Sequence, residues 1–275
     1  MHKILYIENY TFSKIIIGQD GDNLTCVKWK MHGNGEAMTD SYVCIDLETT
    51  GLNPKTDRII EIGVVKMENN VVVDEWETFV NPDRKLEERI IELTGIHDEQ
   101  LSSAPKIEEV LPRLLEMTEG FVLLGHSVLF DYSFVKKAAV NQKMTFERYG
   151  IDTLKIARKY LADLGSRSLP CLCRHYGIDH SAHRALHDAR ATNELYRKLT
   201  EQFYNKEETE GDKSLFCPKK LCYQAKRDTP ITIPQKEQLY KLVDRHKLIL
   251  DYDIEKLTRS EASRRIDQLL AEYGR

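Results

Sequence analysis

The chain has 275 residues, 41% hydrophobic and 31% charged, with a formal net charge of −4. That suffices for one full α/β domain with small additions, and no run approaches the ~18 consecutive apolar residues of a membrane span. Charge is uneven: residues 1–218 carry 27 Lys and Arg against 35 Asp and Glu, net −8, while residues 219–275 carry 13 against 9, net +4.

Residues 1–40 alternate apolar and polar positions over 3–7, 13–17 and 24–29, with turn residues at 19–23. This predicts a short β-rich N-terminal extension, closed by a flexible link at His32-Gly33-Asn34-Gly35. The run Ile15-Ile16-Ile17 is too short for a secretory signal, so a cytoplasmic protein is expected. Its six cysteines (Cys26, Cys44, Cys171, Cys173, Cys217 and Cys222) are then expected to be reduced. Cys217 and Cys222 are spaced like half a zinc site, but no second pair stands at a suitable distance.

Residues 41–205 read as the main domain. Strands are predicted at 42–47, 59–67, 71–80 and 121–125. Helices are predicted near 85–93, 106–117, 131–142, 152–162, 168–176 and 184–203. Three early strands on short loops imply antiparallel pairing; later strands separated by helices imply parallel additions. Residues 206–229 are polar and predict a linker. Residues 230–275 predict a helical module of two helices, opened by Thr232 with Gln235 and by Thr258 with Glu261. Its apolar stripes are Leu239/Leu242/Val243 and Ile266/Leu269/Leu270. Its outer faces would present Lys236, Lys241, Arg245, Lys247, Arg259, Arg264 and Arg265, a basic surface suited to nucleic acid or to a protein partner.

Three short segments concentrate acidic chemistry. Asp46 and Glu48 lie two apart at a strand end and share one face. Asp131 opens a helical pattern after Gly125-His126. Asp188 sits at the start of a long helix, five residues after His183. At ~100° per residue those two are ~140° apart, so His183 is placed on the preceding loop. Alone, each segment is also what a solvated strand end, an N-cap or an exposed histidine looks like, and His180 and His187 are candidates for bystanders. Together they make a carboxylate cluster without thiolates, which suits Mg²⁺ or Mn²⁺. An imidazole beside it suits general base work near neutral pH.

These segments, in this order, resemble the DEDDh family of 3′→5′ exonucleases, proofreading epsilon-like enzymes on the ribonuclease-H-like fold. The resemblance runs from about residue 41 to 203. Further family-like marks are Ile59-Ile60-Glu61-Ile62-Gly63, Leu93-Thr94-Gly95-Ile96 and Ile151-Asp152-Thr153-Leu154. It implies an α/β fold with a mixed sheet flanked by helices. It also implies two divalent cations, with Asp46 bridging both, Glu48 and Asp188 completing the site of the water-bearing ion, and Asp131 helping to hold the second. His183 would take the proton of the attacking water. Thr49, Thr50, Gly51, Leu52, Thr94, His126 and Phe130 would line the terminal nucleotide, with Gly51 letting the backbone pass close to it. The family usually has Asn where this chain has Ser127, a departure that bears on substrate contacts. Arg184 stands where the sister subfamily has Tyr, so the histidine type fits. The substrate implied is the single-stranded or frayed 3′ end of DNA, with RNA as the alternative. A catalytically silent nucleic-acid-binding protein is the reading from another class, and all five residues being intact argues against it. No polymerase motif occurs, so a polymerase or other protein partner would be a separate chain.

Overall fold

The computed structural model describes residues 30–32, 36–180, 183–204, 213–250 and 252–274. The strands expected at 3–7, 13–17 and 24–29 lie outside these residues. β1 (Lys30–His32) pairs antiparallel with β2 (Glu36–Met38), so His32 ends a strand that the sequence reading placed in a flexible link.

The main sheet starts with β3 (Tyr42–Thr49), β4 (Ile59–Glu68) and β5 (Val71–Phe79), paired antiparallel in sequence. α1 (Glu88–Thr94), α2 (Asp98–Ser102) and α3 (Ile107–Met117) follow. β6 (Val122–Gly125) then joins β3 in parallel. α4 (Leu129–Asn141) leads to β7 (Tyr149–Asp152), parallel to β6. α5 (Thr153–Tyr160), α6 (Leu169–Tyr176) and α7 (Ala185–Leu199) cover the sheet. β8 (Lys219–Lys220) closes the order β5-β4-β3-β6-β7-β8. This is a mixed six-stranded sheet flanked by helices, the ribonuclease-H-like arrangement.

Alternation along β3 explains where the core sits and where the acids go. Val43, Ile45 and Leu47 pack with α3 and α4 residues such as Leu114 and Val135. Tyr42 and Cys44 pack on the other face with Ala189, Leu195 and Tyr196 of α7. The Tyr42 hydroxyl donates to Asn193 Oδ1 at 2.8 Å, tying α7 to this strand. Asp46 and Glu48 continue the α7-facing series.

Part of the expected linker is core. Phe216 is fully buried against the Tyr160, Tyr196 and Tyr204 rings. The Leu221 N–H donates to Arg148 O at 3.0 Å, and a Cβ on Gly150 would lie 2.8 Å from the Leu221 side chain. Beyond it, α8 (Ile233–His246) and α9 (Arg259–Tyr273) pack around Ile231, Leu239, Leu242, Ile254, Ala262 and Ile266. Both capping boxes form: Gln235 Oε1 accepts from Thr232 N–H at 3.1 Å, and Glu261 Oε2 accepts from Thr258 N–H at 2.8 Å. The basic outer face is smaller than expected. Lys236 pairs with Glu255, and Arg264 pairs with Asp57 because its side of α9 lies against the main domain.

Candidate active site

The acids converge because β3, β4 and α7 pack closely. Asp46 is opposite Gly63 in the β3–β4 ladder. A Cβ at Gly63 would lie 2.1 Å from the Ala185 carbonyl carbon, so the glycine is what lets the start of α7 rest on the sheet. Glu61, fully buried beside it, accepts from the Ala185 N–H at 3.0 Å and from Arg184 Nε at 3.0 Å. A carboxylate from the sheet thus satisfies a free N–H at the helix start. Asp188, in the first turn of α7, is held over β3.

Glu48, His183 and Asp188 each present a ligand atom, all within 4.8 Å of one another. The His183 backbone takes φ 66°, the left-handed region, and its N–H donates to Asp188 Oδ2 at 3.0 Å. Asp131, on α4, accepts from the Leu47 N–H at 3.1 Å and so approaches from the other side of β3. Burial pushes the Asp46 carboxyl well above the usual range, and repulsion from Asp131, Asp188, Glu48 and Glu61 pushes it further. Glu48 is pushed up to about 8 by burial, then by Asp188 and Glu61, against a lowering by Arg184. Asp131 is also well above its ordinary value, by burial, with the Leu47 N–H acting in the opposite direction. The carboxylates are hard oxygen donors with the His183 imidazole beside them, and their excess negative charge fits divalent cations.

His180 is not a bystander. Its ring is almost fully buried and Nε2 bonds Asp188 Oδ1. His187 is exposed.

The residues expected at the terminal nucleotide are more scattered. Thr49 Oγ1 donates to Gly51 O at 2.7 Å, and Thr50 Oγ1 accepts from Arg58 N–H at 2.9 Å, so both hydroxyls shape the β3–β4 loop. A Cβ at Gly51 would lie 2.6 Å from Asp57 Oδ2, so any larger residue there would have to displace the Asp57 carboxylate. Leu52 stands out at the loop tip, 85% exposed. The Thr94 hydroxyl donates to Ile90 O at 2.8 Å and accepts from Ile96 N–H at 3.1 Å, fixing the turn after α1. Both His126 nitrogens are engaged, Nε2 donating to Arg167 O at 2.8 Å and Nδ1 sharing a bond of 2.9 Å with Thr153. Burial lowers the His126 pKa, in keeping with a neutral ring. Phe130 is half-buried against Phe134, with a centroid distance of 5.0 Å. Ser127 takes φ 79° and its N–H donates to Asp152 Oδ1 at 3.0 Å. Asn enters that left-handed region more readily than Ser, which gives a backbone reason for an Asn preference there.

Sequence reading did not single out Glu61, Gly63 or His180 as parts of this site. The first two carried a usable signal, a carboxylate and a glycine inside an otherwise apolar strand. His180 carried none.

An exonuclease family model, RNase_T, matches residues 43–196. The DNA polymerase III PolC-type protein of Caldanaerobacter subterraneus subsp. tengcongensis is 40% identical over 196 residues, 69% of this chain and 14% of that protein. Its counterpart in Clostridium perfringens is 37% identical over 197 residues, again 69% and 14%. The chain therefore spans about a seventh of the length of these relatives. Among solved structures, the zinc-bound E. coli ExoI–ssDNA complex superposes with a TM-score of 0.54 at 19% identity, covering 61% of this chain and 42% of that one. The nuclease domain of 3′hExo, a DEDDh family member bound to rAMP, gives 0.50 at 21%, covering 59% and 92%. At such identities these two show a shared fold. With the family model covering more than half of its length, the chain belongs to the RNase T exonuclease family, on the fold of the DEDDh exonucleases.

Proposed function

We propose that this chain is a metal-dependent exonuclease that removes nucleoside 5′-monophosphates from the 3′ ends of DNA. The observation that carries the proposal is the convergence of Glu48, His183 and Asp188, whose ligand atoms lie within 4.8 Å of one another, close enough to Asp46 that repulsion from Glu48 and Asp188 adds to burial in raising its carboxyl. Two bound Mg²⁺ or Mn²⁺ ions would neutralise that charge and supply an activated water and a Lewis acid. Asp46, Glu48, Asp131 and Asp188 are the residues that would hold them. His183, on its strained loop beside Glu48 and Asp188, takes the proton of the attacking water on a ring nitrogen. The residue 49–52 loop, with Thr94, His126 and Phe130, positions the terminal nucleotide, and exposed Leu52 packs against its base. The kinship to PolC-type DNA polymerases supports DNA as substrate and a polymerase as partner, with the protein acting in the cytoplasm. The divisions at 41–205, 206–229 and 230–275 are retained as functional units, the linker's second half being structural support for the first unit.

The test is degradation of 3′-labelled single strands, mispaired duplexes and RNA with Mg²⁺, Mn²⁺ or EDTA. The reading requires mononucleotide release from DNA, silence in EDTA and resistance of 3′-phosphate ends. Cutting of circular single strands, or EDTA-resistant activity, contradicts it. Faster release from RNA would transfer the same chemistry to an exoribonuclease.

A further inference from the structure

The β3–β4 loop is gripped by the C-terminal module at three consecutive residues. Arg264 of α9 donates to Thr56 Oγ1 at 2.9 Å and forms an ion pair with Asp57. Glu261, one turn earlier, accepts from Arg58 at 2.5 Å and from Arg84. Arg84 in turn donates to Thr56 O at 2.9 Å. Thr56, Asp57 and Glu261 are all buried. Glu261 is held below the usual carboxylate range although burial pushes it up, because Arg58, the Thr258 N–H and Arg84 outweigh burial.

Asp57 joins this brace to the loop tip. Its Oδ1 takes Arg264, while its Oδ2 accepts from the Asn53 N–H at 2.9 Å, and the same carboxylate fills the space beside Gly51. The Asp57 N–H donates to Asn53 O at 2.8 Å, closing the turn. Leu52 lies between Gly51 and Asn53, so its position depends on a carboxylate fixed from α9.

We propose that Arg264 and Glu261 are positioning residues that set the terminal-nucleotide loop, Arg264 through Asp57 and Glu261 through Arg58 and Arg84, so that the C-terminal module governs substrate binding without touching substrate. The inference rests on the exonuclease reading above. Its physical basis is that a loop tip standing in solvent has few contacts of its own. Ordering it before substrate arrives lowers the cost of binding. The metal-holding residues lie on β3, α4 and α7, outside the brace, so the chemical step is untouched.

The experiment uses the full chain with Arg264→Ala, Arg264→Lys, Asp57→Asn and the double variant Arg264→Ala/Asp57→Asn. With a 3′-ended single strand, Arg264→Ala raises KM about tenfold while kcat stays within about twofold. Half-saturation by Mg²⁺ is unchanged. Arg264→Lys recovers part of the loss, because an ammonium keeps the charge but not the two-pronged contact. The double variant is no worse than the worse single, since both changes cut one linkage. Hydrogen exchange at the amides of Asn53, Thr56 and Asp57 quickens about tenfold in Arg264→Ala, with β6 and α4 unaffected. Unchanged exchange in the loop overturns the proposal, as does a loosened loop with an unchanged KM. Equal falls in kcat and Mg²⁺ affinity across the series would overturn it too, by showing general damage. If the wild-type chain releases no nucleotide, the exonuclease reading fails instead, and the brace is then judged on exchange alone.

Discussion

Glu48 and Glu261 are both buried glutamates, 9% and 6% exposed, yet their surroundings drive them in opposite directions. Beyond burial, Asp188 and Glu61 push the Glu48 carboxyl up to about 8, whereas Arg58 and Arg84 hold Glu261 below its ordinary value. Burial acts upward on both, so the difference lies in the partners. At the α9 brace the chain neutralises its own acid. At the β3–α7 centre it assembles several acids and leaves their charge to something from outside. Such an arrangement is destabilising on its own and persists because the packing of β3, β4 and α7 outweighs it. The contrast separates a site built to receive cations from a joint built to hold two parts of one chain.

The strongest way to break that contrast is at Asp46. Asp46→Asn should lower nucleotide release roughly 10⁴-fold or more, through loss of the carboxylate proposed to bridge the ions. The same change should make the metal-free protein more stable. Carboxylates raised above their unfolded values keep the folded state more protonated between about pH 4.5 and 8. Stability in EDTA therefore falls as pH rises through that window. Asp46→Asn should flatten the fall, and Mg²⁺ should abolish it in the wild type. Thermal unfolding at pH 5 and pH 8, with and without metal, measures this. A variant less stable than wild type in EDTA at pH 8 would show that the acids do not oppose one another.

The histidines sharpen the comparison within the site. His183→Ala should cost ~10²–10⁴ in rate with metal binding retained. His180→Ala should instead weaken metal affinity ~10–100-fold, since its ring orients the Asp188 carboxylate. His187→Ala, at an exposed position, should change neither. Titration with Mn²⁺ alongside single-turnover rates distinguishes the two roles. Equal losses of rate and affinity in the first two would mean that the assignments are confused.

These roles divide along the line between what is local and what is not. Asp46 and Glu48 were legible because a strand's two-residue period puts them on one face. The loop position of His183 followed from a helix's angular period, and the caps of α8 and α9 from side chains three residues apart. β7 escaped notice because its four residues become a strand only by pairing with β6 and β8, and Ile151-Asp152 reads equally well as a helix start. β8 is two exposed lysines with no local signal at all. Glu261 was legible as a cap, but its arginines lie some 200 residues away in sequence. Arg264 was misplaced on an open face for the same reason.

On the stability side, two substitutions weigh the joint against the centre. Gly63→Ala forces a Cβ into the Ala185 backbone and should cost about 1–3 kcal/mol while lifting α7, and Asp188 with it, off β3. Activity should fall further than stability alone explains, which chemical denaturation and rates at saturating Mg²⁺ can show. Glu261→Ala leaves Arg58 and Arg84 without their common acceptor. Both are about a quarter exposed, so water screens the loss and about 1–2 kcal/mol is expected rather than the cost of a fully buried pair. That penalty should shrink as pH falls below the ordinary glutamate value of 4.5 and Glu261, whose pKa is lowered, finally takes up a proton. A penalty independent of pH would mean that the arginines are not what lowers its pKa.

Leu52 gives the smallest effect on the fold and the narrowest test of how the two regions meet. The residue is 85% exposed, so Leu52→Ala should shift stability by no more than about 0.5 kcal/mol. An apolar side chain held in water by an ordered loop gains contact only when a ligand arrives. Removing it should raise KM for a 3′-terminal strand by roughly threefold to tenfold, the worth of about 1 kcal/mol of apolar burial. Affinity for Mn²⁺ should be unaltered, because the loop tip supplies none of the carboxylates. A nucleotide missing its terminal base should bind wild type and variant alike, since the contact is with the base face. If Leu52→Ala discriminates between normal and abasic ends as well as wild type does, the loop tip does not read the terminal nucleotide. The brace from α9 would then be stabilising a surface with another use.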